Sequence, residues 1–121
     1  MELERALTAS LAAPPGRDAE GRILAEYRFA GDFPAFSGHF PGRPVCPAIV
    51  QVLAALHALK AVLGAPLVLT GLDNAKFQKP LGPGEPLTVR CVPKDGGRFD
   101  AELKSGGAPV ARFTLAVAEE G

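Results

Sequence analysis

The chain has 121 residues, enough for one domain that buries about two thirds of the surface exposed by its unfolded form. Thirteen basic residues balance thirteen acidic ones, so no large field of one sign is present to attract nucleic acid or an anionic membrane. These properties predict a single globular domain over residues 1–121 that binds neither nucleic acid nor membrane.

The two cysteines, Cys46 and Cys91, match no metal-binding or redox spacing and lie among apolar neighbours. The chain opens without an apolar signal segment, so we expect reduced, buried thiols in a cytoplasmic protein and no bound metal. The longest apolar stretch, residues 47–72, is interrupted by polar residues and a glycine. This stretch indicates a core helix followed by a strand rather than a membrane span.

The first third of the chain predicts short elements followed by a long loop. Residues 3–13 fit either a strand or a short helix, and residues 13–22 predict a turn. Residues 22–29 alternate in the manner of a half-buried strand, with four apolar residues on one face: Ile23, Ala25, Tyr27 and Phe29. Residues 31–47, GDFPAFSGHFPGRPVCP, then form an irregular loop, and loops of this length in small domains are often functional.

One long helix and a series of strands make up the rest of the chain. Apolar residues recur at helical spacing from Ala48 to Leu63, where Pro47 suits the first helical position and Gly64 suits the stop. Four strands are predicted after this helix, over residues 67–79, 87–93, 99–104 and 110–117. A sheet can bury a single helix only by wrapping around it, so we expect an α+β fold in which dimerisation protects the sheet edge.

Two segments of the chain carry the pattern of a known family. Residues 36–51, FSGHFPGRPVCPAIVQ, are similar to an active-site segment of the approximate form G-H-F-P-x-x-P-hydrophobic-x-P-G. Residues 71–87, GLDNAKFQKPLGPGEPL, are similar to the strand and turn that follow it. Over residues 22–117 the chain thus resembles the FabA/FabZ-type (3R)-hydroxyacyl-[acyl carrier protein] dehydratases. Its short length and Gln51 also resemble the small dehydratases of aryl-polyene pigment clusters.

The resemblance implies a fold and a set of partners. The fold is the hotdog fold, in which an antiparallel sheet wraps around one long central helix and two subunits join their sheets. The implied substrate is an acyl thioester of fatty acid or polyene biosynthesis, carried on the phosphopantetheine of an acyl carrier protein or on CoA. No further cofactor is implied. The implied assembly is a homodimer or higher oligomer, or a heteromer with another hotdog subunit.

The resemblance also assigns roles to individual residues. Removal of water from a 3-hydroxyacyl thioester needs a base, and His39 is that base, because an ordinary histidine pKa near 6.5 leaves the ring mostly neutral. N–H groups at the helix start near Ala48 would hold the carbonyl oxygen, on which negative charge develops. The implied substrate-binding residues are Phe40, Ala48, Ile49 and Leu53.

The chain departs from the family pattern at the acid. The family has Glu or Asp fourteen residues after the histidine, whereas this chain has Leu53, which cannot donate a proton. A positioned acid contributes about 10²–10⁴ to a rate. His57 lies one helical turn further along the same face, so it is the candidate substitute acid, and a hydrogen-bonded structural histidine is the alternative. A second departure is Ala48, where the family has glycine.

Three functions remain open from the sequence. The chain is a dehydratase that works slowly or through His57, or it is one subunit of a heteromer whose partner supplies the acid. The third possibility is a hotdog thioesterase or a non-catalytic acyl-binding subunit. Lys76 and Lys79 are either a solvated strand face or contacts to phosphopantetheine or an acidic carrier protein.

Overall fold

A computed structural model describes residues 2–36 and 45–120, which form two α-helices and six strands. In chain order the elements are α1 (Glu2–Ala9), β1 (Leu11–Arg17), β2 (Ile23–Arg28), a short 3-10 helix (Pro34–Phe36), α2 (Ala48–Leu63), β3 (Leu67–Phe77), β4 (Pro86–Pro93), β5 (Arg98–Ser105) and β6 (Ala108–Glu119).

The six described strands form one antiparallel sheet in the order β1-β2-β4-β5-β6-β3. Helix α2 contacts β1 and β2 at one side of this sheet, β4 in the middle and β3 at the opposite edge. One helix can touch both edges and the centre of a sheet only if the sheet curves around it. The predicted α+β architecture, with an antiparallel sheet wrapped around one long central helix, is therefore confirmed.

Helix α2 begins and ends at the residues predicted from its apolar spacing. Gly64 ends it with a left-handed φ of 64°, and its N–H donates to the Lys60 carbonyl at 2.9 Å, which is the usual glycine stop. Pro47 precedes the first helical residue as the N-cap, one position earlier than predicted. The buried side of the helix is largely aliphatic and includes Val50, Val52, Ala54, Ala55, Ala58 and Leu59.

Residues 2–17 form a helix followed by a strand, the two alternatives that the sequence left open for residues 3–13. Helix α1 ends at Ala9, and strand β1 begins at Leu11. The turn predicted over residues 13–22 is wrong for residues 13–17, which continue β1. Because β1 lies at the sheet edge and has two register shifts, Pro14 and Pro15 can be accommodated there although they have no N–H to donate.

The later strands agree with the prediction to within two residues at each end. Strand β3 is the second edge of the sheet, and its strand neighbour among the described residues is β6. Three large apolar side chains of β3 are exposed, with 39% of Val68, 40% of Leu72 and 41% of Phe77 accessible to solvent. An edge of eleven residues with exposed apolar side chains is a surface suited to pairing with another chain.

Both cysteines are buried free thiols, as predicted. Burial raises the pKa of Cys46 and that of Cys91 to about 12, so both remain protonated near neutral pH. Among the described residues, no helix has the length and apolar character needed to cross a membrane.

Candidate functional site

The structure brings two of the predicted site residues together and leaves others apart. Leu53 and His57 lie one turn apart on α2 and line the same groove. Ala48 and Ile49 are exposed at the start of the helix, with 58% of Ile49 accessible. The predicted base, His39, lies outside the described residues, as does Phe40, so their roles stay predictions.

The amino end of α2 has the features expected of a site for a carbonyl oxygen. It has no side-chain cap and no acidic residue in its first turn. The N–H groups of Val50 and Gln51 bond to the Pro47 carbonyl, whereas no described residue accepts a hydrogen bond from the N–H of Ala48 or Ile49. Since a helix amino end carries a partial positive charge, it favours an oxygen on which negative charge develops.

The groove beside Leu53 is lined by α1, by α2 from Leu53 to Lys60 and by the start of β3. Its volume is about 390 Å³, within the usual range of small-molecule sites, about 300–1,000 Å³. Most of its wall is aliphatic and consists of Leu3, Leu7, Leu53, Leu56, Leu67, Val68 and Leu69. An unbranched hydrocarbon is the kind of group that such a wall holds best.

Three polar residues also line the groove, and each one is already engaged. Lys60 forms an ion pair with Glu4, which lowers the pKa of the Glu4 carboxyl. The ring of His57 is buried, with Nδ1 2.7 Å from the Tyr27 hydroxyl and Nε2 2.9 Å from the Thr8 hydroxyl. Among the described residues, the groove therefore contains no acid or base that is free to meet a substrate.

The two hydroxyls that contact His57 also contact helix carbonyls. The Tyr27 hydroxyl donates to the Ala54 carbonyl at 3.1 Å, and the Thr8 hydroxyl donates to the Glu4 carbonyl at 3.0 Å. A neutral ring and two hydroxyls supply three protons for these four contacts. The tautomer of His57 therefore decides which contact lacks a proton, but in either tautomer both ring nitrogens are within hydrogen-bond distance of a hydroxyl.

The same network bears on the prediction that His57 replaces the missing acid. Burial lowers the pKa of His57, an effect that the Glu4 carboxylate opposes and Lys60 reinforces, so the ring is neutral at pH 7. To protonate a substrate, the ring would have to give up its contact with Thr8 or Tyr27. This geometry favours a structural role, and the acid role stays a prediction.

Other polar candidates lie away from the groove. Gln51 is buried, and its Nε2 donates to the Cys46 carbonyl at 3.3 Å. Lys76 and Lys79 are exposed and therefore accessible to a partner. Their contact with phosphopantetheine or an acidic carrier protein stays a prediction.

The sequence prediction missed the contribution of α1 and of Tyr27. A buried tyrosine usually finds a hydrogen-bond partner, and the apolar face of β2 already placed Tyr27 in the core. A tyrosine on the buried face of a strand was therefore a signal that a polar partner lies nearby in the core. No comparable signal pointed to Thr8, because its helix was not distinguished from a strand.

Comparison with known proteins identifies the family. Residues 16–111 match the model of the ApeI-like family, described as ApeI dehydratase. The chain belongs to this family. The match confirms the resemblance to FabZ-type dehydratases, a description that curated relatives also carry.

The 3-hydroxyacyl-[acyl-carrier-protein] dehydratase FabZ of Chlamydia trachomatis is 29% identical over 106 residues, which cover 77% of this chain and 69% of the relative. The FabZ of Rhizobium rhizogenes is 31% identical over 109 residues, which cover 81% of this chain and 69% of the relative.

Solved structures show the same fold. The dehydratase heterocomplex ApeI:P from Xenorhabdus doucetiae superposes with a TM-score of 0.79 at 17% identity, covering 90% of this chain and 96% of the other. A hypothetical thioesterase with coenzyme A from Streptococcus pneumoniae gives a TM-score of 0.61 at 15% identity, covering 92% and 87%. The predicted hotdog fold is thereby confirmed.

Proposed function

We propose that this chain binds acyl thioesters and acts in dehydration as one subunit of a heteromer whose partner subunit supplies the catalytic acid. The observation that carries the proposal is the groove at Leu53. Among the described residues its one carboxylate is Glu4, which is held by Lys60, and both ring nitrogens of His57 are occupied. The groove is therefore built to hold an acyl chain but has no free proton donor.

The chemistry divides between the two subunits. His39 takes the proton from C2 of the 3-hydroxyacyl group, and the N–H groups of Ala48 and Ile49 hold the thioester oxygen as it becomes enolate-like. The partner's acid protonates the hydroxyl at C3, which leaves as water. The C2–H and C3–O bonds break, a double bond forms between C2 and C3, and nothing is oxidised or reduced overall, so no cofactor is required beyond the phosphopantetheine of the carrier protein or CoA that holds the acyl group.

A comparison with a known assembly also supports the proposal. The structural neighbour from Xenorhabdus doucetiae is itself described as a dehydratase heterocomplex. A family in which one assembly joins two different subunits can retain a subunit that has lost one half of the catalytic pair. In a complex of this kind, the site at His39 would be complete, whereas the reciprocal site at Leu53 would lack its acid.

The first experiment tests the missing acid. The purified protein should dehydrate 3-hydroxyacyl thioesters slowly, and Leu53→Glu should raise kcat by up to the 10²–10⁴ that a general acid supplies. The apolar groove would raise the pKa of the introduced carboxyl and keep it protonated, as an acid requires. Leu56→Glu is the matched control, because it introduces the same group into the same groove one turn away. Equal gains in both variants would contradict the assignment of position 53.

The second experiment tests the partner. Adding a hotdog subunit that has a carboxylate at the acid position should give a complex with family-typical turnover, and His39→Ala in this chain should abolish it. Rapid turnover by the pure homomer that is unaffected by His57→Gln would contradict the heteromer.

A second candidate function follows from the position of His57 on the groove wall. If the homomer alone dehydrates the substrate and His57→Gln abolishes activity without unfolding the protein, His57 is the acid. Release of free thiol without dehydration in the same assay would instead identify a thioesterase.

A further inference from the structure

Helix α1 lies along α2 and covers the end of the groove. Its Glu4 pairs with Lys60, and its Thr8 contacts His57. From Glu4 to Thr8 the residue number rises along α1, whereas the paired residues on α2 fall from Lys60 to His57, so the two helices run antiparallel. Leu3, next to Glu4, must therefore lie near the end of the groove that is furthest from the start of α2.

The groove has a defined direction relative to the proposed chemistry. Of the α2 residues that line the groove, Leu53 is nearest the start of the helix, and Leu56 and Lys60 follow it. Lys60 lies seven residues beyond Leu53, about 10 Å further along the helix at 1.5 Å per residue. An acyl chain that enters the groove at Leu53 would pass Leu56 and then meet α1.

We infer that Leu3 is the end wall of this groove and sets the longest acyl chain that the protein binds. The inference rests on the proposed function, because it requires that the groove at Leu53 hold an acyl chain. It adds a residue that determines chain length, and this residue lies outside the central helix and outside the segment that contains His39.

Helix α1 is held in a fixed position by contacts with the core and with α2. Leu7 is 3% exposed and belongs to the hydrophobic core. The Glu4–Lys60 ion pair and the Thr8–His57 hydrogen bond fix the polar side of the helix. Leu3 is half-buried against the same core, so a change in its size alters the length of the groove directly.

The ligand that best fits the groove is a saturated, unbranched acyl chain. The polar atoms at the rim are already paired with each other, so they offer nothing to a polar ligand. The remaining wall is aliphatic. Each methylene that becomes buried should strengthen binding by about fourfold, and this gain should cease at the carbon that reaches Leu3.

The test is the affinity for a chain-length series. Saturated acyl thioesters of N-acetylcysteamine, lengthened one carbon at a time, would be titrated into the purified full-length protein by calorimetry. The wild-type affinity should rise about fourfold per methylene and then level off. Leu3→Ala should move the break to longer chains, and Leu3→Phe should move it to shorter ones. Leu24→Ala, which changes an exposed leucine on strand β2, is the control and should leave the break in place.

The outcomes separate this inference from the proposed function. A break that stays at the same chain length in both Leu3 variants overturns the role of Leu3 but leaves acyl binding intact. Affinity that does not depend on chain length in the wild type overturns both proposals, because the groove would then be filled by something else, such as side chains of a second subunit. Circular dichroism of each variant would establish that α1 and the sheet are retained.

Discussion

The hydroxyl of Tyr27 lies 2.7 Å from Nδ1 of His57, a residue thirty positions further along the chain. This hydrogen bond joins the second strand of the sheet to the central helix inside the core. Through Nε2 the same ring also holds Thr8 of α1. One imidazole therefore connects three elements, and its contacts determine how α1 is placed over the groove.

Tyr27→Phe should destabilise the protein by about 1–3 kcal/mol, because it leaves the buried Nδ1 of His57 without its hydrogen-bond partner. Burial raises the pKa of Tyr27, so the hydroxyl keeps its proton at any ordinary pH. Urea denaturation at fixed protein concentration would measure the change. In a His57→Leu background the same substitution should cost less, since the partner has already been removed. An equal cost in both backgrounds would show that the hydrogen bond does not contribute to stability.

Stability should fall as the pH is lowered below about 6.5, the ordinary histidine pKa. Burial lowers the pKa of His57 in the folded state, so the unfolded chain binds a proton that the folded chain does not. The free energy of unfolding therefore rises with pH between the folded and the unfolded pKa of this histidine. Denaturation curves collected between pH 5 and 8 would measure the slope. His57→Gln should flatten it in this window, and a slope that persists unchanged would assign the effect to another group.

Gly97→Ala should destabilise the protein more than Gly96→Ala, although both glycines lie in the turn between β4 and β5 with a φ of 73°. Either alanine incurs the cost of a left-handed backbone, about 1–2 kcal/mol. At Gly97 the added Cβ would also lie 2.8 Å from the carbonyl oxygen of Val117, whereas nothing lies within 4 Å of the corresponding atom at Gly96. Thermal denaturation of the two variants would measure the difference. Equal losses would indicate that the turn can shift away from β6.

Leu72→Lys should weaken assembly, because it places a charge on the exposed apolar edge strand β3, where another subunit is expected to pair. Light scattering should show an oligomer for the wild type and a shift towards monomer for this variant at micromolar concentration. Leu24→Lys is a close control, since 37% of Leu24 is exposed on strand β2 compared with 40% of Leu72 on β3. A monomeric wild-type protein, or equal effects of the two substitutions, would contradict assembly through β3.

The sequence by itself determined the central helix, the later strands and the family. The limits of α2 were predictable because the signals are local: apolar residues at helical spacing, a proline at the start and Gly64 at the stop. The strands that follow are bounded by turn residues in the same way. The motif around His39 was sufficient to predict the family and, with it, the hotdog fold.

The tertiary structure decided what depends on contacts between distant residues. An eight-residue helix such as α1 is marginal in isolation, and it is stabilised here by burial of Leu7 and by the pairing of Glu4 with Lys60. The spacing of His57 on α2 was compatible with either an acid or a structural histidine. Only the folded chain brings Tyr27 and Thr8 to its two ring nitrogens, because hydrogen bonds between separate elements depend on how those elements pack and not on the local sequence.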